Sequence, residues 1–480
     1  MLESKPAIPR PRIAAAKGPN SPCLPEPLWD LSVDTYGRHR SNYDSTKVGF
    51  AYFGFCLGAR PDKKKARVLY YPSPAEASKP EKLGDSAVFR RLQKLFERLR
   101  VPPMIRTLFL ITAVIGALLT AAPTRAQLNT EEIVKQKIQP ILPKGGGGGV
   151  AVAVRMDGNT QFFNYGMADD AQNRPVTADS IFNLGSVGKV FASTLLAQAV
   201  KQGELSLEDP VAKYVTELQR GSDIRRITLR QLASHTSGLP RVPQQYETWH
   251  RGRYTWPDFV RFLNSWKADP KHEPGQQYLY SNAAMVLLRI ALQRRFNTRF
   301  AALMHQRLTG PLGMSSTALP LPRDLLGRAV QGYGSTGRLM GRPGMEGGTF
   351  QWPGSGQIYS SSRDMATFLA ANLGELPDHR PIENAMTLAQ QPVFTVGPRL
   401  KLGLAWQNVP AGNFTIIDKN GGLSNTSTYI GFAPQRKLGV VILVNRGNQH
   451  ATGISRQILH ALAQDQSEPS SEGEANPDSD

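Results

Sequence analysis

Runs of apolar residues with β-branched or aromatic character stand near both ends of residues 127–480, and helical spacing fills the stretch between them. Val150–Arg155 and Gln161–Tyr165 read as two strands around Asp157-Gly158-Asn159, a hairpin turn. From Ser186 to Gln202 the chain is apolar nearly all round, the pattern of a buried helix, and Gly203 stops it. Residues 205–350 are mostly helical with long loops and include an apolar helix from Ala283 to Arg295. Strand runs return at Leu402–Trp406, Phe414–Lys419, Ser427–Phe432 and Gly439–Asn445, and a helix over Thr452–Ala463 closes the pattern. Strands first, helices between and strands last predict an α+β fold in two lobes. One antiparallel sheet is built from both chain ends, and a mainly helical insertion packs beside it. No internal repeat is visible.

The flanks read differently. Residues 1–103 are rich in Pro, Arg and Lys without a sustained period, the composition of a disordered segment. Met104-Ile105-Arg106, an apolar run over Leu108–Leu119 and small residues ending at Ala126 have the order of a secretory signal peptide. The run is short beside the roughly 20 residues a spanning helix needs. A signal belongs at a chain start, so translation is expected to begin at Met104, with 1–103 a mis-assigned extension. An internal signal-anchor is the alternative. Residues 465–480 are Ser, Glu, Asp and Pro, a solvated acidic tail. The folded domain is therefore expected over 127–464, periplasmic or secreted, with no stable membrane anchor once 104–126 is cleaved.

Composition narrows the chemistry. The net charge is +19, but residues 127–480 hold 36 Lys and Arg against 28 Asp and Glu, with no dense basic face. A nucleic-acid partner would need a clustered basic stripe with stacking aromatics, and none is expected. Cys23 and Cys56 both precede residue 127, which excludes a disulfide framework or a Cys-ligated zinc from the folded part. Its histidines are scattered without an H-E-x-x-H pair, so neither metal nor other cofactor is expected.

Three short constellations carry chemistry. Ser186-Val187-Gly188-Lys189 puts a hydroxyl and an amine on one face of the predicted helix. Lys189 would lie in an apolar interior and in the first turn, where the helix dipole disfavours a cation. Both effects lower an amine's pKa, and such an amine can take the proton of a neighbouring hydroxyl. The plainer alternative is Ser186 as an N-cap and Lys189 as a solvated end residue.

Tyr280-Ser281-Asn282 follows the turn Glu273-Pro274-Gly275 and precedes the apolar helix. It offers a phenol as proton shuttle and an amide as donor. The alternative is that Ser281 or Asn282 caps the helix while Tyr280 packs. A phenol serving as base near neutrality needs nearby positive charge, which Lys189 and Lys419 could supply. If Lys189 is neutral instead, the amine is the base and the phenol relays.

Lys419-Asn420-Gly421-Gly422 ends a predicted strand. It reads either as a plain Asn-Gly hairpin turn or as an ammonium for a substrate carboxylate. In the second reading the glycines let backbone approach the substrate, and a backbone N–H there, with that of Ser186, could form an oxyanion hole.

Together and in this order the three resemble the S-x-x-K, S-D-N and K-T-G set of serine β-lactamases and penicillin-binding proteins. The Tyr-x-Asn form is that of class C β-lactamases and their low-molecular-weight D-alanyl-D-alanine peptidase relatives. Phe182-Asn183-Leu184-Gly185, Gly203-Glu204-Leu205-Ser206-Leu207 with Asp209-Pro210, Leu232 to Pro240, Pro311-Leu312-Gly313-Met314 and Tyr359-Ser360-Ser361 extend the resemblance over about 130–464. It implies a β-lactamase/transpeptidase-like fold with Ser186 as nucleophile, Lys189 as its amine partner and Tyr280 as acid/base phenol. It implies further that Asn282 donates to the substrate's acyl-side amide and that Lys419 lies near the phenol and the substrate carboxylate. The N–H groups of Ser186 and Gly422 correspond to the oxyanion hole, and Asn445 and Asn448 to asparagines near the carboxylate site. His235 belongs to a loop that is structural in this family.

Two positions depart from the family pattern. Asn420 stands where Thr is usual, and Arg241 where many class C enzymes place a substrate-contacting Gln. The segment from Trp256 through Trp266 to Gly275 resembles the D,D-carboxypeptidase/endopeptidase branch at least as well. The expected activity is hydrolysis of β-lactams through a Ser186 acyl-enzyme. The alternatives are a D,D-peptidase on peptidoglycan peptides, a small-ester esterase, or a penicillin-binding receptor without turnover.

Overall fold

A computed structural model describes residues 125–143, 145–243, 254–341 and 357–466. The predicted extension 1–103, nearly all of the predicted signal 104–126 and most of the tail 465–480 lie outside the described residues.

The sheet forms as the strand runs predict. β1 (Gly149–Met156) and β2 (Asn159–Asp169) meet at a tight turn in which Asp157 (φ +48°) and Gly158 (φ +81°) both adopt the left-handed conformation that such hairpins require. β3 (Arg174–Pro175) extends that edge, while β4 (Ile181–Asn183) pairs with β5 (Tyr359–Ser361) in a separate two-stranded sheet. The late strands are β6 (Phe394–Gly397), β7 (Leu400–Leu402), β8 (Gln407–Ala411), β9 (Phe414–Leu423), β10 (Thr426–Ala433) and β11 (Leu438–Val444). They complete a nine-stranded sheet in the order β3-β2-β1-β11-β10-β9-β8-β7-β6. β1 pairs antiparallel with β11, so the two chain ends meet at the middle of the sheet.

Both faces of the sheet are covered, which is why β10 and β11 are buried along their whole length. On one face α1 (Arg125–Ile138) and the final helix α9 (Ala451–Asp465) bury Val134, Ile138, Ile458 and Leu462 against Val152, Tyr429 and Ile442. The opposite face receives α7 (Ser362–Leu373), which packs on β1, β10 and β11. Beside it lie α2 (Lys189–Lys201) and α8 (Arg380–Gln390), packed on each other. The helical insertion contains α3 (Leu229–Ala233), α4 (Trp256–Ser265), α5 (Asn282–Phe296) and α6 (Phe300–Met304). Of these, α5 packs on α2 and so joins the insertion to the helix that follows Ser186.

Three local expectations change. Leu402–Trp406 is not a strand of its own: Leu402 ends β7 and the residues from Gly403 to Trp406 bend back to β8, with Ala405 left-handed at φ +62°. Lys419-Asn420-Gly421-Gly422 is not a turn, because β9 continues through it and pairs with β10 as far as Leu423 opposite Thr426. The helix expected from Ser186 begins three residues later, after a 3₁₀ turn over Gly185–Gly188.

Candidate active site

The three constellations converge. Ser186 sits half-buried in the 3₁₀ turn, and no side-chain bond caps either that turn or α2, so it is not an N-cap. Its Oγ lies 3.0 Å from Lys189 Nζ and 2.7 Å from the Tyr280 hydroxyl. Lys189, the first residue of α2, is 0 % exposed. Burial pushes its amine down to about 7, and the positive charge of Arg241 adds to the shift. Near neutral pH a large share of Lys189 is therefore the free base, one hydrogen bond from a hydroxyl. That is the requirement for accepting the hydroxyl's proton.

Tyr280 stands among three basic side chains. Its ring centroid is 5.2 Å from Lys189 Nζ, 5.1 Å from Lys419 Nζ and 5.7 Å from the Arg241 guanidinium carbon. Its backbone position is fixed by its neighbour. Ser281 caps α5 by accepting from Ala284 N–H at 2.9 Å, and its hydroxyl donates to Pro240 O at 2.7 Å. The capping alternative is thus correct for Ser281, and this leaves Tyr280 and Asn282 on either side for the site. Asn282 is half-buried, and its Oδ1 has no hydrogen-bond partner among the described residues.

His235 (φ +57°) is buried with its ring 4.5 Å from that of Tyr280. Its Nδ1 accepts from Ser281 N–H at 3.3 Å. Burial holds its imidazole well below the usual range, with Lys419 and Lys189 adding to the effect. It is a neutral support for the Tyr280 segment.

β9 approaches the Ser186 turn so closely that only glycine fits at two places. A Cβ on Gly421 would lie 2.2 Å from Leu184 O, 2.3 Å from Thr428 Oγ1 and 3.0 Å from Ser186 N. A Cβ on Gly185, left-handed at φ +50°, would lie 3.0 Å from Gly422 N. The Ser186 and Gly422 N–H groups are thereby neighbours, as an oxyanion hole requires. β10 locks the contact: Thr428 Oγ1 donates to Leu184 O at 2.7 Å, while Thr426 Oγ1 donates to Val444 O at 2.8 Å with Asn183 O farther off at 3.3 Å. These two threonines went unnoticed in the sequence, where a Thr-rich strand start signals only β propensity.

Alternation along β9 sorts the rest. Asp418 turns toward α9, where it pairs with Arg456 Nε at 2.7 Å and accepts from the Tyr429 hydroxyl at 3.0 Å. Lys419, 2 % exposed, is aimed at Tyr280. Burial and the charge of Lys189 lower its pKa, against an opposing influence of Tyr280 and Asp418. Asn420 and Gly422 are exposed. Among the described residues β8 pairs with β9 only as far as Gln407 opposite Asp418, and no strand pairs with that edge of β9 beyond it.

One candidate is corrected. Asn445 is fully buried, and its side chain is spent on backbone. Oδ1 accepts from Gly149 N–H at 2.6 Å, and Nδ2 donates to Met167 O, Ala168 O and Gln331 O. It ties β1, β2 and the insertion together and has no atom left for a substrate. Asn448 instead stands exposed and left-handed (φ +55°) in the turn after β11. The next residue, Gln449, donates its N–H to Ser427 Oγ at 2.9 Å, and Ser427 faces Gly422 across β9 and β10. No hydrogen bond among the described residues joins Asn448 itself to the Ser186 cluster.

A family model described as Beta-lactamase matches residues 132–465. The chain belongs to the β-lactamase family. A β-lactamase of Pseudomonas fluorescens is 27% identical over 368 residues, which cover 69% of this chain and 99% of the relative. A solved class C β-lactamase superposes with a TM-score of 0.62 at 25% identity, over 70% of this chain and 96% of that one. A β-lactamase/D-alanine carboxypeptidase from Pseudomonas syringae does so with a TM-score of 0.62 at 25% identity, over 71% and 100%. This β-lactamase-family chain is a serine hydrolase, and both branches of the expected activity occur among its structural neighbours.

Proposed function

We propose that the chain opens β-lactam rings by two-step acyl transfer through Ser186. The observation that carries the reading is the double contact at Ser186 Oγ, with a buried amine of lowered pKa on one side and a phenol on the other. Neutral Lys189 takes the hydroxyl proton as Oγ bonds to the lactam carbonyl carbon. The developing oxyanion is held by the N–H groups of Ser186 and Gly422. The C–N bond then breaks, and the proton passes through the Tyr280 hydroxyl to the leaving nitrogen. Water attacks the ester, Ser186 Oγ recovers a proton, and the acid departs. Lys419 faces the substrate carboxylate with Asn420 and Asn448 at its border, and Asn282 donates to the acyl-side amide. No cofactor takes part.

The same machinery cleaves a D-alanyl-D-alanine bond, where the leaving group is an amine that diffuses away. The likeness to the β-lactamase/D-alanine carboxypeptidase of Pseudomonas syringae supports this as the second reading. Steady-state hydrolysis of a chromogenic cephalosporin, run beside D-alanine release from an acyl-D-Ala-D-Ala peptide, separates the two. Turnover of the cephalosporin with no D-alanine released supports the first. Export is proposed from 104–126, with a periplasmic or secreted product. Among the described residues no helix is long and apolar enough to cross a membrane.

A further inference from the structure

Arg241 is the third basic side chain beside Tyr280, and the proposed chemistry leaves it without a role. Its main chain is fixed, because its carbonyl accepts from the N–H groups of Asn282 at 2.9 Å and Ala283 at 3.2 Å. Its side chain is exposed, with the guanidinium carbon 5.7 Å from the Tyr280 ring centroid. Arg226, Arg261, Arg294, Arg307 and Arg363 each hold a carboxylate. Among the described residues no carboxylate pairs with Arg241, nor with the exposed Arg225 and Arg323, and of these Arg241 is the one set against Tyr280. Lys419 and Arg241 repel one another across one ring, and the charge of Arg241 also lowers the Lys189 pKa. An anionic ligand relieves that repulsion.

Lys419, on β9, accounts for one anionic group. Arg241 sits on another element, tethered to the start of α5 beside Asn282, and so faces a different part of the ligand. We infer that Arg241 is a specificity-determining residue that pairs with a carboxylate on the acyl side of the substrate, across the scissile carbonyl from the leaving group. The inference rests on the proposed Ser186 acylation. The planar guanidinium suits a bidentate carboxylate contact. The substrates favoured are β-lactams with an acidic acyl side chain, or peptides whose residue before D-Ala-D-Ala bears a side-chain carboxylate.

The test is the second-order rate constant for Ser186 acylation by three penicillins that differ at one position. These are benzylpenicillin, its α-carboxy derivative and its α-amino derivative. Ratios within each variant cancel any change in Lys189 that loss of Arg241 causes. The native chain is expected to favour the α-carboxy over the α-amino compound by about tenfold, a charge-assisted contact. Arg241→Gln flattens the ratio, Arg241→Glu inverts it, and Arg241→Lys keeps its sign. Added salt reduces the preference. D-alanine release from a peptide pair differing as Glu against Gln at the preceding residue identifies the source. A carboxylate preference there marks the peptide, and one confined to penicillins marks the antibiotic. Equal ratios in all four proteins overturn the inference while leaving acylation intact. No adduct with any penicillin in the native chain overturns the acylation reading and the inference with it.

Discussion

Lys189 Nζ lies 3.0 Å from Ser186 Oγ although Lys189 has no exposed surface. The first turn of an apolar helix is a poor place for an ammonium, and the amine responds by losing its proton near pH 7. Stability is given up where the chemistry needs a base. Lys189→Met is therefore expected to reduce acylation by about 10²–10⁴, the usual worth of a general base. The same change raises the unfolding free energy by about 1–4 kcal/mol, as when buried charged groups give way to apolar ones.

The pH dependence has a definite sign. The folded pKa of Lys189 is about 7 against 10.5 for the ordinary amine, so between these values the unfolded chain binds more protons. The Lys189 penalty is complete below pH 7 and is relieved as pH rises toward 10.5. The gain of Lys189→Met over the native chain is accordingly larger at pH 6 than at pH 9 in denaturant titrations. Acylation rises with pH through about 7 and then levels off.

Tyr280→Phe removes the hydroxyl 2.7 Å from Ser186 Oγ and keeps the ring among its three basic neighbours. Acylation and deacylation rates are expected to fall about 10²–10⁴-fold, with the thermal midpoint nearly unchanged. A rate within threefold of native would remove the phenol from the mechanism.

Gly421→Ala forces a methyl against Leu184 O and Thr428 Oγ1, so β9 must withdraw from the Ser186 turn. The expected cost is about 1–3 kcal/mol in stability, with a larger loss in acylation because Gly422 N–H moves too. Differential scanning calorimetry and burst kinetics on one preparation measure both.

Asn445 and Asn448 should separate cleanly. Asn445→Ala leaves Gly149 N–H and several buried carbonyls without partners, and each such group costs about 1–3 kcal/mol. It lowers the midpoint and the yield of folded protein. Asn448→Ala changes an exposed side chain and acts on KM alone. Equal midpoints for the two variants would contradict the assignment.

Most of the fold was legible because period and composition agree with burial. The hairpin at Asp157-Gly158, the apolar helix after Ser186 and the strands of both chain ends all follow from local patterns. Where the reading failed, tertiary contact overrode a local signal. Asn420-Gly421 has turn chemistry, yet it stays extended because β10 pairs with it and the Ser186 turn packs on it. Leu402–Trp406 is apolar because it lines the interior at a bend, and not because it is a strand of its own. The site residues were legible as motifs. Their partners were not: nothing local tells that Asn445 spends its amide on three other segments, or that Thr428 holds the Ser186 turn to the sheet.

The central claim is that Ser186 carries the acyl group. Its most direct test is a time course of intact mass for the purified protein after mixing with benzylpenicillin. Ser186→Ala serves as the control. The account predicts an adduct of one penicillin that forms and decays within seconds and is absent from the Ser186→Ala protein. An adduct equally abundant in the Ser186→Ala protein, or none in the native one, would contradict it.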